Sequence, residues 1–250
     1  MNQNATPGKN LTGIAAAPQR SHEMLTGMEE FPPTSHGSAQ DVAQVRIAYA
    51  QQAEPPGSVP LPASFTDKMQ TAVKAALGEK PILLMDKLGE RLAFERTGTR
   101  LYEALVSKYD AFGGFSGGPS RGDLEHVRQE EYRHFTLLQA AVEQLGGDPT
   151  AVTPSADLSA TVAHGIKQVI VDPRTTLLQS LEAILIAELA DNACWEGLVE
   201  LAQGAGEEGL ARQFQEARMT EQEHLEKVQS WLAAGQGRTQ NGKGGQRKST

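Results

Sequence analysis

Apolar residues recur every three or four positions in four long stretches of the chain, which is the period of an amphipathic helix. Each stretch is followed by glycine, the residue that commonly ends a helix. The pattern therefore predicts an all-α protein with four long helices, numbered one to four in chain order. They cover about residues 82–112, 120–146, 174–203 and 207–234.

The connections between these helices predict their arrangement. About seven residues join helices one and two, and only residues 204–206 join helices three and four. Such short links favour antiparallel hairpins. The connection between helices two and three is long and includes a short predicted helix over 156–171. We therefore expect a four-helix bundle, occupying residues 82–234, with one long crossover between helices two and three.

The ends of the chain lack this period. Residues 1–65 are rich in proline, glycine and serine, and we expect a largely disordered arm there. Residues 66–81 are predicted to form a short helix, over 66–77, and a connection. Residues 235–250 contain four basic and no acidic residues and are predicted to be a disordered basic tail.

Composition narrows the candidate chemistry. The net charge of −8 argues against a nucleic-acid partner. The single cysteine, Cys194, excludes an internal disulfide, a four-cysteine metal site and an iron–sulfur cluster within one chain, so any metal must be bound through oxygen and nitrogen. The N-terminus shows no secretory signal and no apolar run is long enough for a membrane span, so a cytoplasmic location without a membrane partner is expected.

Two of the predicted helices carry the same short motif. Helix two contains Glu131-Tyr-Arg-His134, and helix four contains Glu221-Gln-Glu-His224. Glu and His three residues apart share one face of a helix. Both pairs interrupt an apolar stripe, so these side chains are expected in the core. A buried carboxylate needs a partner such as a cation.

The other two long helices each interrupt their apolar stripe with one glutamate. Glu95 lies in helix one and Glu188 in helix three, and each precedes an aromatic residue, Tyr102 or Trp195, by seven positions. Glu95 lies 36 residues before the first Glu–His motif, and Glu188 lies 33 residues before the second. The two hairpins are therefore predicted to be related by an approximate two-fold.

Along the chain, a lone glutamate precedes the first Glu–His motif, and a second lone glutamate precedes the second motif. This order is the ligand pattern of ferritin-like di-iron and di-manganese proteins. Residues 82–234 resemble the ferritin-like superfamily. The segments LAFERTGTRLYEAL and EYRH carry a closer resemblance to its rubrerythrin-like branch. The resemblance implies two Fe ions, with Mn as the alternative. Their ligands would be Glu95, Glu131, His134, Glu188, Glu221 and His224.

The resemblance also implies how these ligands divide. Glu131 and Glu221 would bridge the ions, one ion would take Glu95 and His134, and the other would take Glu188 and His224. A rubrerythrin proper has a rubredoxin domain that binds iron through four cysteines. Since this chain has one cysteine, self-contained electron transfer is not expected.

Several neighbouring residues have predicted roles. Tyr102 is the catalytic candidate, either as a hydrogen-bond donor near the ions or as a redox relay. The alternative for both Tyr102 and Trp195 is packing in the core, with the polar end of the side chain hydrogen-bonded. Asp191 and Asn192 are expected to orient the histidine rings. The remaining glutamates near the motifs are predicted to be solvated. They are Glu103, Glu130, Glu196 and Glu223.

The leading functional hypothesis is a non-haem di-iron oxidoreductase that reacts Fe(II) with O2 or hydrogen peroxide, as a ferroxidase or a peroxide-scavenging enzyme. The alternatives are a di-manganese catalase-like enzyme, a di-iron oxygenase acting on a small organic substrate, and a non-enzymatic metal-binding protein. In the last case the N-terminal arm would dock a protein partner through NLTGI and PPGSVPLP. A homodimer is also expected for a bundle of this kind.

Overall fold

A computed structural model describes residues 17–32, 37–54, 56–57 and 80–242 of the chain. The chain divides into two compact units, Met1–Glu54 and Pro55–Thr250. Within the described residues all regular secondary structure is α-helical, which confirms the all-α prediction. None of these helices combines the length and the apolar character needed to span a lipid bilayer.

The described residues of the first unit form two helices, α1 (Pro18–Glu30) and α2 (Ala39–Gln52), and neither buries a residue. Pro18 opens α1, and the hydroxyl of Ser38 accepts a hydrogen bond from the Asp41 amide at the start of α2. The prediction of a disordered arm over residues 1–65 is therefore wrong for these two segments. Pro18 begins α1 and Pro32 follows it, so these prolines do not indicate a lack of structure. The predicted helix over 66–77, the NLTGI segment and most of PPGSVPLP lie outside the described residues.

The second unit contains the four long helices that the sequence predicts and the shorter helix between the second and third. α3 packs against α4, α6 packs against α7, and α3 also contacts α6. The shorter helix, α5, lies against α3 and α6. The bounds are α3 Lys80–Phe112, α4 Arg121–Gln144, α5 Pro154–Val171, α6 Leu177–Gly204 and α7 Glu208–Gly242.

The last helix continues past the glycine at which the sequence predicts its end. α7 runs through Gly235 to Gly242, so the prediction of a disordered tail over 235–250 is wrong for residues 235–242. A β-carbon at Gly235 would lie 3.1 Å from the ring of Phe115 and would also press on Leu178. This glycine therefore allows close packing of neighbouring side chains instead of ending the helix.

Local signals in the sequence set the starts of the site-bearing helices. Ser120 and Asp123 form a capping box at the start of α4, in which each side chain bonds the backbone of the other residue. Thr176 and Gln179 form the equivalent box at the start of α6. These caps fix where each helix begins and hence which residues face the interior.

The interior consists of two apolar clusters separated by a polar layer. On α3, the buried apolar residues of one cluster are Leu84, Leu88 and Leu92, and those of the other begin at Phe94, next to Glu95. The other three long helices change cluster in the same way, on either side of their buried acidic and histidine residues. The polar layer is therefore enclosed by apolar side chains on both sides along the helices.

Candidate metal centre

All six side chains predicted as metal ligands lie in this polar layer. The four long helices supply them from positions where an apolar stripe is interrupted. None of these six candidate ligands is more than 6% exposed. The exposed fractions are Glu95 0%, Glu131 2%, His134 6%, Glu188 2%, Glu221 0% and His224 0%.

The six side chains form overlapping groups with the spacing of metal ligands. One group joins Glu95, His134 and Glu221, and its ligand atoms lie within 4.8 Å of one another. Another joins Glu221 with Glu131, Glu188 and His224 over the same span. A third group joins Asp191 with the carboxylates of Glu95, Glu131 and Glu221. These buried clusters could hold a metal ion, and Glu221 belongs to every group.

Both histidines point Nδ1 towards Glu221. In His134, Nδ1 is 2.5 Å from Glu221 Oε1 and 3.8 Å from Glu95 Oε2, and neither contact is a hydrogen bond. In His224, Nδ1 is 3.1 Å from Glu221 Oε2 and 3.4 Å from Glu131 Oε1. One nitrogen of each ring therefore faces the carboxylates that the Glu–His spacing brings to the same level.

Several of these buried polar atoms have no hydrogen-bond partner within the described part of the chain. Leaving such an atom unsatisfied costs roughly 1–3 kcal/mol, so native interiors rarely keep several together without an ion or water. Carboxylate oxygens and imidazole nitrogens are ligands that suit Fe and Mn. The unpaired atoms therefore fit a metal site. They include Glu95 Oε2, His134 Nδ1, Glu188 Oε2 and Glu221 Oε1.

The pKa values of the four buried glutamates differ because their carboxyl groups lie close together. Burial, opposed by Arg91 and reinforced by neighbouring carboxylates, raises the pKa of Glu95 to about 8. Burial and nearby carboxylates also raise the pKa values of Glu131 and Glu188 to about 8. Burial opposes ionisation of Glu221 too, but the two adjacent histidines outweigh it and lower its pKa to about 2. Without a metal, one carboxylate thus stays ionised while its neighbours hold protons near neutral pH.

The two aromatic residues that follow the lone glutamates each form a hydrogen bond with the lone glutamate of the other helix. The hydroxyl of Tyr102 on α3 donates to Glu188 on α6, and the indole Nε1 of Trp195 on α6 donates to Glu95 Oε1 on α3 at 3.0 Å. Burial and the Glu188 carboxylate raise the pKa of Tyr102 well above its usual value, so its hydroxyl remains a donor. Both aromatic tips are therefore satisfied, and each bonds the candidate ligand on the other helix.

Glu130 does not lie in solvent as the sequence predicts. Its side chain is 16% exposed and accepts from Nε2 of His224 at 3.0 Å. Its other oxygen is 3.3 Å from Nε2 of His126, a side chain that is 55% exposed. Burial would lower the pKa of His224, but its bonds to Glu130 and other carboxylates raise it well above the usual value. Position 130 is about 100° around α4 from position 131, so its side chain reaches α7 at the edge of the core.

The predicted partners of the histidine rings have other roles. Asp191 forms a buried ion pair with Arg91, which also pairs with Glu95. Asn192 donates its side-chain amide to the backbone oxygens of Glu188 and Glu221, both at 3.0 Å, and so joins α6 to α7. The expectation that these two residues orient histidine is therefore wrong.

Arg91 is a buried residue of the site that sequence reasoning missed. It is 2% exposed, and its guanidinium lies 4.6 Å from the centre of the Phe94 ring. One signal was available, because Arg91 lies three residues after Leu88 and four before Glu95, on the same apolar face. Arginine on such a face usually extends to solvent, which explains why the pattern alone did not predict burial.

Glycine provides the space for one of the ligands. A β-carbon at Gly98 on α3 would lie 3.0 Å from the carboxylate carbon of Glu131 and closer still to its Oε2. The carboxylate therefore packs directly against the helix backbone.

Comparison with known proteins identifies no relative: no family model, no curated protein and no solved structure matches the chain.

Proposed function

We propose that this chain is a ferritin-like di-iron carboxylate protein, a four-helix bundle with one long crossover, that reacts Fe(II) with O2 or hydrogen peroxide. The observation that carries this proposal is the enclosed set of four glutamates and two histidines, which meet at one level of four helices. Fold resemblance alone would not specify a reaction, so the proposal rests on the ligand set and its surroundings.

Charge balance supports two ions. Two divalent cations would neutralise the four glutamates of the set, while Arg91 and Asp191 neutralise each other. A buried site without net charge avoids the cost of burying ions without partners. The three carboxyl groups with pKa values near 8 would release their protons when the ions bind.

The ligands would divide between two positions. Glu95 and His134 would hold one ion and Glu188 and His224 the other, with Glu131 and Glu221 between them. Bound Fe(II) would supply electrons to the oxidant. The hydroxyl of Tyr102 would hold Glu188 in place, and Glu130 would orient His224 through Nε2.

The apolar clusters on either side of the layer would exclude bulk water from the reacting groups. Their side chains nearest the layer include Leu92 and Leu138 on one side and Val127 and Ala187 on the other. A water-poor site strengthens the electrostatic contacts between ligands and ions.

The direct test is anaerobic reconstitution of the metal-free full chain with Fe(II), followed by metal analysis and absorbance measurements on adding O2 or peroxide. We expect two irons per chain and a rapid new near-ultraviolet band with one or both oxidants. Two tightly bound manganese ions, together with release of O2 from peroxide, would instead indicate the catalase-like alternative.

A matched pair of variants makes this test specific. Glu131→Gln replaces a buried ligand with an amide of the same shape, whereas Glu223→Gln alters an exposed glutamate between Glu221 and His224 on α7. The first variant should lose bound iron and the absorbance band, and the second should keep both. A folded, helical wild-type protein that binds neither metal would refute the proposal.

A further inference from the structure

The two halves of the site are similar but not equivalent. Glu95 and Glu188 are 93 residues apart, as are Tyr102 and Trp195. The same interval pairs Arg91 with Ile184, which is completely buried. One half of the site therefore contains a buried cation, and its counterpart in the other half is an apolar side chain.

Arg91 engages the glutamate of its own half. Its guanidinium contacts Glu95 Oε1 and Asp191. The Trp195 indole donates to the same oxygen of Glu95. Only Oε2 of this glutamate is without a hydrogen bond to the described residues. A metal at the Glu95–His134 position must therefore share its carboxylate with a guanidinium.

The other half offers ligands that no guanidinium of the described residues contacts. Glu131, Glu188, Glu221 and His224 place ligand atoms within 4.8 Å of one another. The four-residue group on the Glu95 side includes Asp191, and Arg91 pairs with both Asp191 and Glu95. His224 is also oriented by Glu130. The residue that corresponds to Glu130 in the other half is Thr220, whose hydroxyl bonds the backbone of its own helix at Glu216.

We infer that the two metal positions fill in order, with the Glu188–His224 position first and the Glu95–His134 position second and more weakly, because Arg91 competes for Glu95. This inference rests on the proposed two-metal function. A fixed positive charge beside a divalent cation is unfavourable, and the ion pair with Asp191 offsets only part of that effect.

Titration of the metal-free full chain with Co(II), followed by visible absorbance and calorimetry, tests the order directly. We expect two steps whose dissociation constants differ by about tenfold or more. Glu95→Gln should remove the weaker step and leave the tighter one within about twofold. Glu188→Gln should weaken the tighter step.

The role of Arg91 requires its own variant. The double change Arg91→Gln with Asp191→Asn removes both buried charges together, so that neither is left unpaired. It should bring the two dissociation constants closer together. Arg96→Gln, at an exposed position on the same helix, should leave the two steps as they are.

The outcomes separate this inference from the proposed function. Two equal sites in the wild-type chain, or loss of the tighter step in Glu95→Gln, would overturn the order of filling while leaving the two-metal site intact. Absence of Co(II) binding would overturn both. If circular dichroism shows that the double variant does not fold, Glu95→Gln and Glu188→Gln decide the order.

Discussion

Replacement of Gly98 by alanine should separate folding from metal binding. The new β-carbon would lie 3.0 Å from the carboxylate carbon of Glu131, and ordinary contact begins at 3.4 Å. Because Oε2 is closer still, it would have to retreat by about 1.3 Å to reach a normal separation. Metal ligands tolerate displacements of about 0.2 Å, so one carboxylate would leave its position. We expect metal affinity to fall about 10- to 100-fold, equivalent to about 1.4–2.8 kcal/mol.

The thermal stability of Gly98→Ala should change much less than its metal affinity. Alanine is better than glycine inside a helix by about 1 kcal/mol, which partly offsets the cost of overpacking, so Gly98→Ala should still fold. Gly197→Ala on α6 is the control, because among the described residues no atom beyond the adjoining stretch of α6 lies within 4 Å of its added β-carbon. It should raise Tm by about 2–4 °C and leave metal affinity unchanged. Calorimetry and anaerobic Co(II) titration measure the two effects. Wild-type affinity for both ions in Gly98→Ala would refute the reasoning.

Three further predictions concern the surroundings of the ligands. Tyr102→Phe removes the hydroxyl that bonds Glu188 and should lower Tm by about 2–4 °C without reducing metal stoichiometry, as checked by calorimetry and metal analysis. Glu130→Ala should weaken metal binding about tenfold or more by releasing His224, whereas Glu103→Ala, at an exposed position, should not. Apparent metal affinity should rise between pH 6 and pH 8, because the three carboxyl groups with pKa values of about 8 must lose protons to bind; equal dissociation constants at both pH values would contradict this.

The same pKa values predict how the metal-free fold responds to pH. A carboxyl group whose pKa is raised on folding destabilises the fold progressively as pH increases from its usual value near 4.5 towards 8. Glu221 has the opposite shift, and the stability that it contributes is lost only as pH falls towards 2. Metal-free protein should therefore have a lower Tm at pH 8 than at pH 6. Bound metal should reduce or reverse that difference.

The long helices and the six candidate ligands were accessible from sequence because they depend on local periodicity. Glu131 and His134 stand out only against the apolar stripe of α4, and the same argument applies to Glu95 on α3. Burial of all six ligands agrees with this pattern. Their roles in binding metal remain proposals.

Contacts between helices were less accessible. Arg91 pairs with Asp191 across 100 residues of sequence, and Glu130 reaches His224 across 94. Such contacts depend on how one helix is aligned against another, and no single-helix pattern encodes that alignment. The error at Gly235 is of the same kind, because the close approach of Phe115 and Leu178 to that glycine is a contact between distant parts of the chain.

The approximate two-fold of the sequence holds for the two aromatic residues that bond the lone glutamates and fails for two charged neighbours, Arg91 and Glu130. Tyr102 and Trp195 bond the glutamates of opposite halves in a reciprocal pattern. Arg91 has an apolar counterpart, and Glu130 corresponds to a threonine. Two similar ligand sets would thus experience different electrostatic surroundings, and electrostatics influences affinity more readily than it changes ligand geometry. A site built in this way can keep two nearby positions for metal while making one position easier to fill and to empty.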